Sequence, residues 1–127
     1  MWELELLLEG SKFEIYILKK NKEIFELEEF FRKIFPDKKR RKNAQDCFFR
    51  LFERTVDNGL INNRKQFEKL KDNIYEFKCK GIRILCYLSG RKIYLLHGFK
   101  KQTQKTPRKE IKKVEAIIKE LKKILEA

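Results

Sequence analysis

Strands at either end of a helical middle, closed by one further helix, predict a single α+β domain. Three observations carry that expectation. Period-two alternation appears near the start and again in three runs between residues 74 and 99, and helical-period apolar stripes fill 27–55 and 111–125. No repeat or low-complexity linker divides the 127 residues, a length suited to one core. The order β–α–α–β–β–β–α then gives one antiparallel sheet of about four to five strands, with two N-terminal helices and one C-terminal helix on it.

Each element has its own signal. WELEL and KFEIYIL alternate around the turn-like EGSK, predicting a hairpin or two edge strands. Leu27, Phe30, Phe31, Ile34 and Phe35 recur at helical spacing until Pro36-Asp37 ends the segment. KKRRK, residues 38–42, opens a second helix with Ala44, Cys47, Phe48, Leu51, Phe52 and Thr55 on its apolar face, stopping at Asn58-Gly59. Residues 60–73 are polar, a loop or a marginal helix around Phe67 and Leu70. IYEFKCK, IRILCYL and KIYLLHGF read as consecutive strands divided by Gly81 and by Ser89-Gly90. Thr106 can cap and Pro107 can open the final helix. Its stripe runs through Ile111, Val114, Ile118, Leu121 and Leu125, widened by Ile117 and Ile124, and is expected to face the sheet.

The formal net charge is +13, and it is unevenly spread. Residues 1–37 carry six Lys and Arg against nine Asp and Glu, whereas residues 38–127 carry 26 against 10. A basic region of that kind attracts a polyanion and gains by releasing its counterions, so nucleic acid or the ribosome is the expected partner. No apolar run approaches the roughly 18 residues that span a bilayer, so no membrane partner is expected. MWELELLLEG lacks the basic flank of a signal peptide. Cys47, Cys79 and Cys86 are odd in number and show no CxxC spacing. They are expected as small core residues rather than a disulfide or zinc framework, in a reducing cytoplasm.

Several blocks also resemble a known family: Ile74-Tyr75-Glu76-Phe77, Gly81 to Tyr87, Leu95-Leu96-His97-Gly98-Phe99-Lys100-Lys101, Thr103, Lys105-Thr106-Pro107 and Glu110-Ile111. Together they look like the HigB-type, phage-related branch of the RelE toxin superfamily, over residues 12–120 and most densely over 74–111. The resemblance implies a RelE-like domain that serves as the toxin of a type II toxin–antitoxin pair. Such a protein is a cytoplasmic endoribonuclease cleaving mRNA, commonly on the ribosome, and is neutralised by a cognate antitoxin from the adjacent reading frame. The expected hairpin at the start departs from the family, whose members usually enter the first helix after one strand. Two alternatives stand beside this reading: a ParE-like toxin acting on DNA gyrase, and an inactive nucleic-acid-binding module of phage origin.

The residues supply a chemistry of their own. Cutting RNA without a metal requires a base for the 2′-hydroxyl, cations for the charged transition state and an acid for the leaving 5′-oxygen. No His, Asp or Glu group has metal-ligand spacing, so no metal or other cofactor is expected, and a single histidine excludes a two-imidazole mechanism. Alternation puts Lys78 and Lys80 on one strand face, where neighbouring ammonium groups disfavour the second charge and fit one amine as base. Arg83 offers a planar fork to phosphate, and the resemblance gives it a catalytic or clamping role. The plainer alternative is an arginine bridging to Glu76. His97, ahead of Gly98, and Lys101 are the candidates for assisting the leaving group. Lys38, Lys39, Arg40, Arg41, Lys42, Lys100, Lys105 and Arg108 are the candidate phosphate contacts, the last three around a loop and a helix N-terminus that favours anions. Tyr75, Tyr87 and Tyr94 are either base-stacking residues or core.

Overall fold

The alternating runs become five strands and a sixth joins them: β1 (Trp2–Glu9), β2 (Glu14–Lys20), β3 (Phe67–Lys71), β4 (Ile74–Cys79), β5 (Ile82–Ser89) and β6 (Lys92–Lys100). The helical stripes become α1 (Glu26–Ile34), α2 (Lys38–Asn58) and α3 (Arg108–Glu126). The structure, a computed structural model, describes residues 2–20 and 26–126. Its strands form one sheet in the order β1-β2-β6-β5-β4-β3. Neighbours are antiparallel except β2 and β6, which run parallel from Glu14 opposite Lys92 to Ile17 opposite Leu95. The sheet is therefore mixed and six-stranded, where an antiparallel sheet of four to five strands was expected.

The extra strand is β3, in the stretch expected as a loop or marginal helix. Phe67 joins the core on one face of the sheet and Leu70 packs on the other, so the two look like a helical step although they sit on a strand. A register shift between Lys69 and Lys71 further blurs the alternation.

Two apolar layers hold the sandwich. On one face, α1 and α2 bring Leu27, Phe31, Phe48 and Phe52 onto Ile15, Phe77, Ile84 and Leu95. On the other, Val114, Ile117, Ile118 and Leu121 of α3 cover Leu18, Leu85, Tyr94 and Leu96. β5 therefore reads as a continuous buried run from Ile82 to Cys86. Leu125, expected in the α3 stripe, is instead exposed, while its neighbour Ile124 packs on the core. Gly98 lets α1 lie close on β6: a Cβ there would come within 2.7 Å of the Phe30 ring.

The helix ends follow ordinary capping chemistry. Asp37 Oδ1 accepts from Lys39 N at 3.0 Å and starts α2, and Gly59, at φ 102°, donates its N–H to Thr55 O and ends it. Thr106, expected as the cap of α3, turns its hydroxyl into the sheet, as described below. A second correction concerns sulfur. Cys47 in α2 and Cys79 at the end of β4 form a disulfide, while Cys86 is free and buried. Burial pushes the Cys86 thiol well above its ordinary range. Among the described residues no helix is long and apolar enough to cross a membrane.

Candidate functional site

Connectivity brings the basic segments to one end of the sheet. The last turn of α2 meets the β1–β2 turn, where Lys12 N and Phe13 N donate to Val56 O at 2.7 and 3.0 Å. That turn lies beside the start of β6, since Glu14 is opposite Lys92. The beginning of α2 points to the other end, and the Cys47–Cys79 bridge ties it to the finish of β4. At the same end are the β4–β5 turn and the end of β6, joined by Lys101 N donating to Gly81 O at 2.7 Å. The loop that follows leads into α3. Lys38, Lys39, Arg40, Arg41, Lys42, Lys80, Lys100, Lys101, Lys105 and Arg108 consequently gather around one end, and all except the half-buried Arg41 are exposed.

A cleft of about 480 Å³ opens within this basic end. Arg64, Lys65, Lys78, Arg83 and Lys101 line it, together with Glu68 and Gln104. A smaller recess of about 170 Å³ shares Lys65, Lys78, Arg83 and Lys101 with it and adds Lys80 beside Gly81. Four of the five expected catalytic residues thus converge.

Arg83 forms the floor and is only 4% exposed. Its Nη1 donates to Glu76 Oε1 and to Thr106 Oγ1, each at 3.0 Å, and Nη2 donates to Gln104 O at 3.1 Å. Thr106 Oγ1 in turn donates to Glu76 Oε2 at 2.6 Å. The bridge to Glu76, weighed above as the plainer reading, is present. A guanidinium has five N–H donors, so this network fixes its plane and leaves others for the cleft. Glu76 and Thr106 were not anticipated as site residues. The pairing of Lys78 with Arg83 across β4 and β5 sets both on the face that α3 covers, and Glu76 lies two residues along it.

Lys78 is held by acceptors. Its ammonium donates to Glu68 Oε1 at 2.6 Å and to Arg64 O at 2.9 Å, and lies 3.6 Å from Glu76 Oε1. The Lys78 hydrogen bond, followed by that of Arg64, holds the Glu68 carboxyl below its usual range. These contacts reverse the expected setting, in which a neighbouring ammonium was to disfavour the charge on Lys78 or Lys80 and so fit one of them as base. Lys80 has left the strand: β4 ends at Cys79, and Lys80 adopts φ 53° with Gly81 at φ 75° in a tight turn. Arg64 and Lys65, in the turn before β3, and Glu68, on it, were missed because the stretch carrying them read as a loop or marginal helix with no chemical signal. As a strand, its register places Glu68 opposite Glu76 and so on the Lys78 face.

His97 is not brought into the cleft. It is 6% exposed, with Nε2 3.3 Å from Glu110 Oε1 of α3 and its ring stacked on Phe99. Tyr94 is core, stacked between Tyr16 and Tyr87. The hydrogen bond to Glu14 and burial push the Tyr16 hydroxyl up to about 12. Tyr75 is half-buried, parallel to Phe67 with ring centres 5.2 Å apart. Among the described residues no group of three or more His, Cys, Asp or Glu is placed to hold a metal ion.

Fold and cleft define a small, strongly basic α+β domain with a cation-lined cleft at one sheet end. The chain belongs to the phage-derived Gp49-like family, whose profile matches residues 34–119, from the end of α1 into α3. This is a toxin-like family of type II toxin–antitoxin systems. The match includes every cleft residue and begins after the β1–β2 hairpin. No curated protein matches the chain.

Proposed function

We propose that this protein is the toxin of a type II toxin–antitoxin pair and an endoribonuclease of the RelE and HigB kind, cleaving mRNA on the ribosome. The observation that carries the reading is the convergence of Lys78, Lys80, Arg83 and Lys101 on one cleft within the matched region. The RNA 2′-oxygen attacks the adjacent phosphorus and the bond to the 5′-oxygen breaks, leaving a 2′,3′-cyclic phosphate and a 5′-hydroxyl. Arg83, fixed by Glu76, Thr106 and the Gln104 carbonyl, stabilises the charge that builds on the phosphoryl oxygens. Lys80, exposed at the recess, accepts the 2′-proton, while Lys78 donates to Glu68 and the Arg64 carbonyl and adds positive charge, and Lys101 donates a proton to the leaving oxygen. These cations carry the charge stabilisation, so the chemical step needs no metal of its own. Lys38–Lys42, Lys100, Lys105 and Arg108 hold flanking phosphates, and an antitoxin from the adjacent reading frame neutralises the protein.

The test uses 70S complexes with mRNA in the A site. Arg83 lies in a buried ion pair, so its replacement alters stability as well as chemistry; Lys101 is exposed and separates the two. Lys101→Ala should lower the cleavage rate about 10²-fold, the order expected for one preorganised donor, without shifting thermal unfolding. An unchanged rate would remove Lys101 from the mechanism. Absence of cleavage by the parent protein would favour a second reading, a non-catalytic nucleic-acid-binding module, which the burial of Arg83 with Glu76 supports. Accumulation of gyrase–DNA complexes would point to the ParE-like alternative.

A further inference from the structure

Beside the cationic cleft lies a second cavity of about 460 Å³ that the reaction does not use. The two adjoin across the β3 edge, where Arg64 and Glu68 line both, with Phe67 and Tyr75 on the α2 face and Lys78 and Arg83 on the α3 face. Their walls differ in chemistry. Apart from those two shared residues, the first is walled by cations and an amide, whereas the second has the Tyr75 and Phe67 rings, Leu60 and Ile61 as its apolar sides. Tyr75 and Phe67 lie within 6° of parallel, and Phe67 is 6% exposed while Tyr75 is half-buried. A buried ring thus backs a more accessible one, a rigid flat platform that costs little conformational entropy to use. Asn62 stands at the rim, exposed and without a hydrogen-bond partner among the described residues, and Lys69 completes the polar edge.

We infer that this cavity is a nucleobase subsite: it receives a base of the RNA strand whose phosphate occupies the adjoining cleft. The inference rests on the RNA-contacting role proposed for that cleft. A nucleobase is a flat, polarisable disc with hydrogen-bonding groups confined to its edge, and the cavity offers an aromatic wall with an amide and a carboxylate at its margin. Bases of single strands are held in this way, by stacking on aromatic rings with polar groups reading the edge.

The test is a binding titration at low ionic strength with a 2′-O-methyl RNA hexamer, which keeps phosphates and bases but cannot supply the attacking 2′-hydroxyl. A second hexamer replaces single bases by hydrogen, leaving the sugar–phosphate chain intact. Loss of the base at one position should weaken binding about tenfold, the scale of one stacking interaction. Tyr75→Ala should weaken the parent hexamer similarly, leave the abasic hexamer unchanged, and be rescued by Tyr75→Phe. Should Tyr75→Ala fail to fold, the abasic series on the unaltered protein and the exposed-loop variant Asn62→Ala decide the matter. Equal binding of both hexamers at every position would overturn the subsite and leave the phosphate cleft standing. Absence of binding by either would overturn both.

Discussion

Glu76 is a carboxylate with no exposed surface, set among Arg83, Thr106 and Lys78. Removing it strands a buried guanidinium, so Glu76→Ala should destabilise the fold by about 3–5 kcal/mol in denaturant titrations. A loss below about 1 kcal/mol would mean that water reaches Arg83 and satisfies it. Glu68 behaves differently because about a quarter of its side chain remains exposed. Its carboxyl is held below the usual range by Lys78 and Arg64. A depressed folded value stabilises above the unfolded carboxylate value and loses that contribution as pH falls through the folded one. The stability gap between parent and Glu68→Gln should therefore be full at neutral pH and close under acid, read from thermal unfolding across pH 2–7. A gap that widens on acidification would refute the assignment. This residue-level detail was only partly legible in the sequence. Alternation separated Lys78 from Tyr75, Phe77 and Cys79, but the carboxylate and threonine partners at the site come from β3 and the loop before α3, which no local period connects to β4.

At the scale of elements, α2 begins against its own electrostatics. Five cations, Lys38 to Lys42, sit at the positive end of the helix dipole, and its first turn contains no acidic residue. Asp37 at the cap and Asp46, 3.7 Å from Lys42, offset this only in part. Replacing all five by Gln should raise stability by on the order of 1 kcal/mol at low salt. The same change should flatten the log–log salt dependence of RNA binding by about 0.7 for each phosphate that is no longer neutralised. Greater stability with an unaltered slope would make the run a solvated helix start and nothing more. The helices and β4, β5 and β6 were legible because each keeps one period across several turns or pleats. β3 was not: five residues with one apolar side chain per face leave no period to read. The parallel seam between β2 and β6 was equally hidden, since strand direction at a non-local pairing depends on the path of everything between.

For the whole molecule, the disulfide between Cys47 and Cys79 couples helix layer and sheet at the basic end. With the partners 32 residues apart in sequence, loop-closure entropy gives about 3–4 kcal/mol of stabilisation. Cys47→Ala, or dithiothreitol added to the parent, should lower the urea midpoint accordingly, and combining the two should do no more than either alone. An unchanged midpoint would show that the cysteines are unlinked in solution. The sequence concealed this pair because a bridge across 32 residues has no spacing motif; only the packing of α2 on β4 brings the sulfurs together. The uneven charge, by contrast, was readable from the beginning and is realised as the gathering of cations at one end.

The parallel seam also imposes an order of events during synthesis. β1 and β2 emerge early and can pair with each other, but the edge of β2 finds its neighbour only when β6 has been made, after every other strand. A two-stranded ribbon is marginal in water on its own. The β3–β6 meander, in contrast, consists of adjacent hairpins with short connections and closes locally. A nascent chain halted before β6 therefore carries an open hairpin edge, two unseated helices and an unfinished cleft. The cleft, and with it any binding of the polyanion proposed for it, is complete only after nearly the whole chain has been translated.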